Sequence, residues 1–239
     1  MPQKTVEYPD LYINQVKIKF VKQFNFLGIM LDSSVKLKSH VDIISTKISK
    51  IIGIINKLKH SLPLDALLNI YNALIVPHLN YGVLLFQKHC NRLFILQKKA
   101  IRAVSCSKYN AHTSGIFQSL NILKVHDICA LHGLKFCFKL ENGLLPGYFH
   151  QSGIFTKNSS FHQYQTRRNN DYVIPLIKHE FARLGIRFRI PLFFNELDNC
   201  YKDKIYTHSL NGLKVYFKKR KISLYINVCN NQTCYICNN

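Results

Sequence analysis

Apolar residues recur along this chain with two different periods, and the switch between them divides it. From residue 11 to residue 31 the pattern favours strands. LYINQVKIKFV is rich in β-branched and aromatic residues, with Asn14-Gln15 as a turn. FNFLGIML follows as a second apolar run, and Gly28 inside it predicts a bend or a close backbone approach. Asp32-Ser33-Ser34 ends this part. Beyond it Val41, Ile44, Ile48, Ile51, Ile55 and Leu58 return at spacings of three and four. That seam predicts an amphipathic helix, with Lys47, Lys50 and Lys57 off it.

Further helical signals follow. Ser61, Pro63 and Asp65 form a helix start, and Leu64, Leu67, Leu68, Tyr71, Leu74 and Ile75 give its stripe, which Pro77 is expected to break or kink. Arg92 to Val104 predicts a third helix with Leu93, Leu96, Ala100 and Val104 on its apolar side. A short helical turn is expected over 113–120. Val125, Ile128, Leu131, Leu134 and Phe138 mark a fourth long helix, apolar enough to be central and stopped by Asn142-Gly143. After Pro146 the pattern weakens. QSGIFTKNSSFHQYQTRRNN reads as loop, residues 171–200 as short apolar pieces cut by Pro175 and Pro191, and 207–219 as a last helix. The expected fold is mainly α: a helical bundle with a small N-terminal β element (α+β) and an irregular basic C-terminal region. The divisions are a β element over 1–36, the bundle over 37–145, an irregular to helical region over 146–226, and a Cys- and Asn-rich tail over 227–239.

Composition changes the picture in one respect. Hydrophobic residues make up 47%, enough for a core, but Lys and Arg number 33 against 12 Asp and Glu, a net charge of +21. A field of that sign favours polyanions such as RNA or DNA. An acidic membrane surface is the other general possibility, yet no strongly amphipathic basic helix with bulky aromatics calls for one. Residues 62–86, the greasiest stretch, carry Asp65, Asn69, Asn72, Pro77, His78 and Asn80, so a buried helical pair is expected there and no membrane span. MPQKTVEYPD lacks the apolar core of a secretory signal, so the eight cysteines are expected as thiols in an intracellular compartment, nucleus or cytoplasm.

Candidate chemistry is sparse. Two-metal nucleotidyl transfer needs converging acids, and the chain has no Asp-Asp or Asp-x-Asp pair; Glu196 and Asp198 come closest and read as a solvated or capping pair. His126, Cys129 and His132 fall three apart on the predicted helix, where the two histidines point roughly 120° apart, too far for one metal. Cys229, Cys234 and Cys237 offer half a zinc site without an evident fourth ligand. No metal or cofactor is therefore expected. The basic clusters carry more. Lys98, Lys99 and Arg102 present cations beside an apolar stripe, and Arg167-Arg168 lies near Phe161 and Tyr164. Lys218, Lys219, Arg220 and Lys221 end the last helix. These nine cations are the candidate nucleic-acid contacts.

Five motifs occur in one order: FNFLGIMLD with a following Lys and His at 24–40, YNALIVPHLNYG at 71–82, LQKKAIR at 96–102, HTSGIFQSLNILKVHD at 112–127 and LLPGYF at 144–149. That order resembles the C-terminal portion of reverse transcriptases of jockey-like non-LTR retrotransposons, over about residues 11–226. The resemblance implies that Phe26, Leu27 and Gly28 correspond to a primer-grip strand, and that the helices from His40 onward correspond to the thumb and connection. In the family these hold template and growing strand. It also implies that the catalytic Tyr-x-Asp-Asp lies upstream of the Phe-Leu-Gly strand, so a chain beginning here is expected to lack the palm and not to polymerise. RNA or DNA, and the palm of a full-length element, are the implied partners. The family carries Trp near the positions of Leu37, Phe86 and Phe194, whereas this chain has no Trp. Two other functional classes fit the same residues: a helical protein-interaction module with an apolar patch around Phe24, Phe26 and Ile29, and a non-functional relic of a mobile element.

Overall fold

The computed structural model describes residues 10–33, 37–151, 153–161, 164 and 167–227. The Cys-rich tail expected over 227–239, and with it the zinc question, falls almost wholly outside them. The chain opens with two short antiparallel hairpins. Strands β1 (Tyr12–Ile13) and β2 (Val16–Lys17) pair through Ile13 and Val16, and β3 (Gln23–Phe26) pairs with β4 (Ile29–Asp32) through Phe26 and Ile29. Both turns have two residues, each at positive φ: Asn14 and Gln15 in the first, Leu27 and Gly28 in the second. This is the turn whose twist matches that of paired strands. The second apolar run is therefore a folded hairpin. Leu27 and Gly28 form its turn and do not belong to a strand, because both hold the positive φ of a type I′ turn.

From Lys38 the architecture is helical. Helix α1 (Lys38–Leu58) buries Val41, Ile44, Ile48, Ile52 and Ile55, with Ile52 where the seam predicted Ile51. Helix α2 (Leu64–Ile70) runs through one π turn, Tyr71–Ile75, into α3 (Val76–Asn80). Pro77 explains the widening. It has no N–H for the carbonyl of Ala73, so the ladder shifts register and the Val76 N–H reaches the Tyr71 carbonyl instead. Leu74, expected in the stripe, lies 45% exposed because the extra residue rotates the face there, and Leu64, also expected in it, lies 45% exposed at the first position of α2.

Helix α4 (Cys90–Val104), the short α5 (Ser114–Ser119) and α6 (Val125–Glu141) complete the bundle, and Gly143 at φ +68° ends α6 as predicted. Helix α6 is central and packs on α3 and α4. A single turn, α7 (Tyr148–Gln151), starts the long connection. Then three helices return to cover α6: α8 (Ile186–Asn195), α9 (Asn199–Thr207) and α10 (Leu210–Ser223). Pro191 lies inside α8, where it was expected to cut short apolar pieces apart. A proline there costs about 3 kcal/mol, and the burial of Ile190, Pro191 and Phe194 on that face offsets it. No helix of the described residues is long and apolar enough to cross a membrane.

The three positions where the resembled family carries Trp are all in the core: Leu37, Phe86 and Phe194 are each less than a tenth exposed. Aliphatic and aromatic side chains fill that volume without an indole.

Candidate nucleic-acid interface

Local chemistry sets the frame before any cation is considered. Gln97 is fully buried on the apolar side of α4, beside Leu93 and Ala100. Its amide donates to the Tyr71 hydroxyl at 3.0 Å and the Leu123 carbonyl at 2.9 Å, and its carbonyl accepts from the Val125 N–H at 2.8 Å. It thereby satisfies the first backbone donor of α6 and joins three helices, so Leu96 is only half-buried. Burial and loss of solvent push the Tyr71 hydroxyl up to about 12.

The second internal network is centred on Glu141, whose side chain is 5% exposed. Lys157 donates to it at 2.7 Å and Tyr206 at 2.6 Å, and the Tyr172 hydroxyl donates as well. Burial alone would raise this carboxyl, but the three donors hold it below its ordinary value. Asn195 clamps the backbone of Tyr172 through both its N–H and its carbonyl at 2.8 Å each. These contacts attach the long connection to α6, α8 and α9.

The predicted cations fall into three groups. On α4, Lys99 is exposed, whereas Lys98 lies 4.8 Å over the Phe94 ring. Arg102 is half-buried, with Nε donating to the Ala111 carbonyl at 2.8 Å. It fixes a turn. On α10, Arg220 donates to the Tyr216 hydroxyl at 3.1 Å and lies 3.8 Å from Asp198, and Lys221 lies 3.8 Å from Asp127. Lys219 is exposed and Lys218 half-buried. Arg167 and Arg168 are exposed in a turn of the connection, whose Arg168 carbonyl accepts from Asn158 at 2.9 Å. Phe26, Leu27 and Gly28 sit at the hairpin turn, where the Tyr81 hydroxyl donates to the Leu27 carbonyl.

The fold joins the first two groups through lysines the sequence did not single out. Lys124, just before α6, lies 4.2 Å over the Tyr225 ring and close enough to Lys98 to feel its charge. Burial, then Lys98, lowers the Lys124 amine against the pull of Asp127. Tyr225 donates to Asp127 at 2.6 Å, and Asp127 also neighbours Lys221. Farther along α6, Lys135 is lowered by burial, then by Lys214 and Lys139. Lys214, Lys218 and Lys221 fall on one side of α10 at helical spacing. The result is a cationic band: Lys98, Lys124 and Lys221 at one end, then Lys218, Lys214, Lys135 and Lys139. Periodicity places these residues on their helices, but only packing α10 across α6 lines them up.

The candidate metal residues disperse. His126 bonds Asn91 at 2.8 Å, His132 bonds Asn80 at 3.2 Å, and the Cys129 thiol points at the Val83 carbonyl at 3.9 Å. Burial pushes His132 down to about 4. Among the described residues no group of three His, Cys, Asp or Glu side chains is placed to hold a metal.

Curated proteins similar to this chain share one activity in their names. An RNA-directed DNA polymerase from mobile element jockey of Drosophila melanogaster is 27% identical over 132 residues, 52% of this chain and 14% of that protein. The jockey polymerase of Drosophila funebris is 25% identical over 127 residues, 50% of this chain and 14% of that protein. A probable RNA-directed DNA polymerase from transposon X-element of Drosophila melanogaster is 23% identical over 141 residues, 56% and 15% respectively. The chain thus spans about one-seventh of the length of the curated relatives it matches. No family model and no solved structure matches it. The resemblance to non-LTR element reverse transcriptases stands on these relatives.

Proposed function

We propose that this chain is a post-palm, thumb- and connection-like part of a mobile-element RNA-directed DNA polymerase. Its task is to hold nucleic acid, and it does not carry the polymerising site. The observation that supports the holding role is the cationic band along α6 and α10. From Lys124 to Lys139 a helix advances about 22 Å at 1.5 Å per residue. Phosphates along one strand recur about every 3.4 Å, so the band is long enough to follow a strand for several nucleotides. Half-buried Phe94, under Lys98, borders it and adds ring surface for cation contacts. Catalysis is assigned elsewhere because two-metal phosphoryl chemistry needs paired carboxylates. Two of the more buried acids among the described residues are spent on structure, Glu141 on Lys157 and two tyrosines, Asp127 on Tyr225 and Lys221.

Fluorescence anisotropy with a labelled single strand and an RNA–DNA duplex tests this. Affinity should fall steeply with salt. For single strands the log–log slope is about −0.7 per phosphate neutralised, so Lys135→Gln, Lys214→Gln and Lys218→Gln together should flatten it by about 2. A salt-insensitive affinity, or an unchanged slope in the triple variant, overturns the assignment. Template-primed dNTP incorporation by the purified chain overturns the absence of the polymerising site.

One observation favours a second role. Of the expected patch Phe24 and Phe26 are more than half exposed on the hairpin and Ile29 is half-buried against the core, while Leu27 is exposed beside them, a patch of the kind that proteins cover with a partner. An interaction module would use this face, and its binding would be apolar and weakly salt-dependent.

A further inference from the structure

Helix α8 packs on α6 beside the turn that follows α3, and the three enclose a cavity of about 140 Å³. Two of its lining residues, Gln87 and Glu196, are exposed, so it is reached from the surface. It shares no residue with the cationic band. Leu84, Ala130, Ile186, Ile190 and Phe193 make most of its wall. Gly133 of α6 leaves room for that wall, since a Cβ there would stand 3.2 Å from the Phe193 ring. A cavity of about 150 Å³ with walls of this kind holds a benzene ring.

One group does not belong in an apolar hole. Arg189 lines the cavity half-buried, and burial is the largest influence on its charge and works against it. Nη1 donates to the Leu84 carbonyl at 2.6 Å. Among the described residues its other N–H groups meet no acceptor, and no carboxylate pairs with it. The titratable groups close enough to act on it are the Cys90 and Cys129 thiols, which are hydrogen-bonded to each other. The more buried acids of this fold each have a cation, Lys157 for Glu141 and Lys202 for Asp171, whereas this guanidinium has no acid. A charge taken out of water calls for a counter-ion. Because Arg189 is only half-buried, its free N–H groups stay within reach, and their fork matches a carboxylate in spacing and charge. Glu196 is the acid in the lining. It stands two turns on along α8, about 10 Å by the helical rise, where it repels a second negative charge.

We propose that this cavity binds a small monocarboxylate with a compact apolar body, its carboxylate on Arg189 and its body against Ala130, Ile190 and Phe193. The volume sets the body at one ring or a branched chain of about six carbons. A nucleotide is too large for it. A bound ligand joins α8 to α6 and to the turn at Leu84, so it stabilises the fold as it fills the site.

The test titrates the full chain with benzoate, with benzamide as its neutral isostere, with terephthalate, which adds a carboxylate at the far end, and with acetate, which lacks the body. Calorimetry reads affinity. The arginine Nε–H signals in a ¹⁵N–¹H spectrum report the contact, with that of Arg189 identified by its loss in Arg189→Lys. Benzoate should bind with a Kd of roughly 0.1–1 mM, ordinary for so small a ligand, and shift the Arg189 signal. Benzamide, terephthalate and acetate should each bind at least about tenfold more weakly, the order set by a charge-assisted hydrogen bond or a buried ring. Arg189→Met should weaken benzoate by about tenfold or more and remove its advantage over benzamide. Arg189→Lys keeps the charge without the fork and should restore only part of the loss. Ala130→Leu fills the cavity while leaving Arg189 in place, and should abolish benzoate binding with the helical circular dichroism unchanged. If Arg189→Met does not fold, Arg189→Lys and Ala130→Leu still decide. Equal affinity for benzoate and benzamide, benzoate binding unchanged in Ala130→Leu, or no binding up to about 10 mM overturns the proposal.

Discussion

The N-terminal hairpins and the helical bundle are equally apolar in sequence and opposite in fate. Leu11, Tyr12, Ile13, Val16, Phe20, Phe24 and Phe26 are all more than half exposed, while Ile48, Ile55, Leu93 and Ile101 have lost all contact with water. Both regions have the period their element requires. The difference is the number of surfaces available. Each bundle helix meets two or more others, whereas a two-stranded ribbon has two faces, and among the described residues β4 is the strand that packs along α1. An apolar pattern thus predicts an element, and burial needs a second surface to close on it.

The contrast can be broken by substitution. Phe86→Ala should have the largest effect, because Phe86 is fully buried against His40 of α1. Truncating a buried Phe costs about 3–5 kcal/mol. Thermal unfolding should remain a single cooperative transition with a Tm lowered by many degrees. A scan of the unaltered chain without any cooperative transition would support the relic.

Polar burial sharpens the same contrast. Glu141→Gln should cost about 1.5–3 kcal/mol at neutral pH, the range for hydrogen bonds to a charged group. The folded carboxyl lies below its ordinary 4.5. Its contribution is complete above that value and is lost as pH falls through the lower folded value. The stability gap between wild type and variant should therefore be wide at pH 7 and close in acid. A gap independent of pH would mean that Lys157 and the tyrosines do not hold the ionised form.

The smallest effect is expected in the hairpin. Phe24→Ser should shift stability by no more than about 0.5 kcal/mol, as for ordinary surface positions. A loss above about 2 kcal/mol would show that this face is covered in solution, and the exposed patch would then be an interface.

How far the residues themselves announced this arrangement differs from element to element. The α1 seam, the α6 stop at Asn142-Gly143 and the Asn14-Gln15 turn were legible because each is set by local period or by backbone preference. The ordered motifs also indicated relatives, and proteins named as mobile-element polymerases match. Helix α8 was not legible. Pro191 is a local argument against a helix, and it is overruled only by the core that Ile190 and Phe194 join. Gln97 was equally hidden, since a polar residue in an apolar seam looks like an error until Tyr71, Leu123 and Val125 are seen around it.

By itself, the sequence determined the switch from strand to helix near residue 37, the helices of the bundle up to Gly143 and an excess of positive charge, all properties of residues and their near neighbours along the chain; α8 and α9 were not among them, and the last helix begins at Leu210 and not at 207. Tertiary structure alone decided which cations act together. Arg102 and Arg220 are drawn into internal contacts, and Lys124, Lys135 and Lys214 join Lys221 in a band. It also placed Arg189 among the apolar walls of one cavity. The reason is physical. Charge and donor capacity belong to single residues, but their direction is fixed by which apolar faces close on each other. Those contacts join positions far apart in the chain, such as 84 with 189 and 135 with 214.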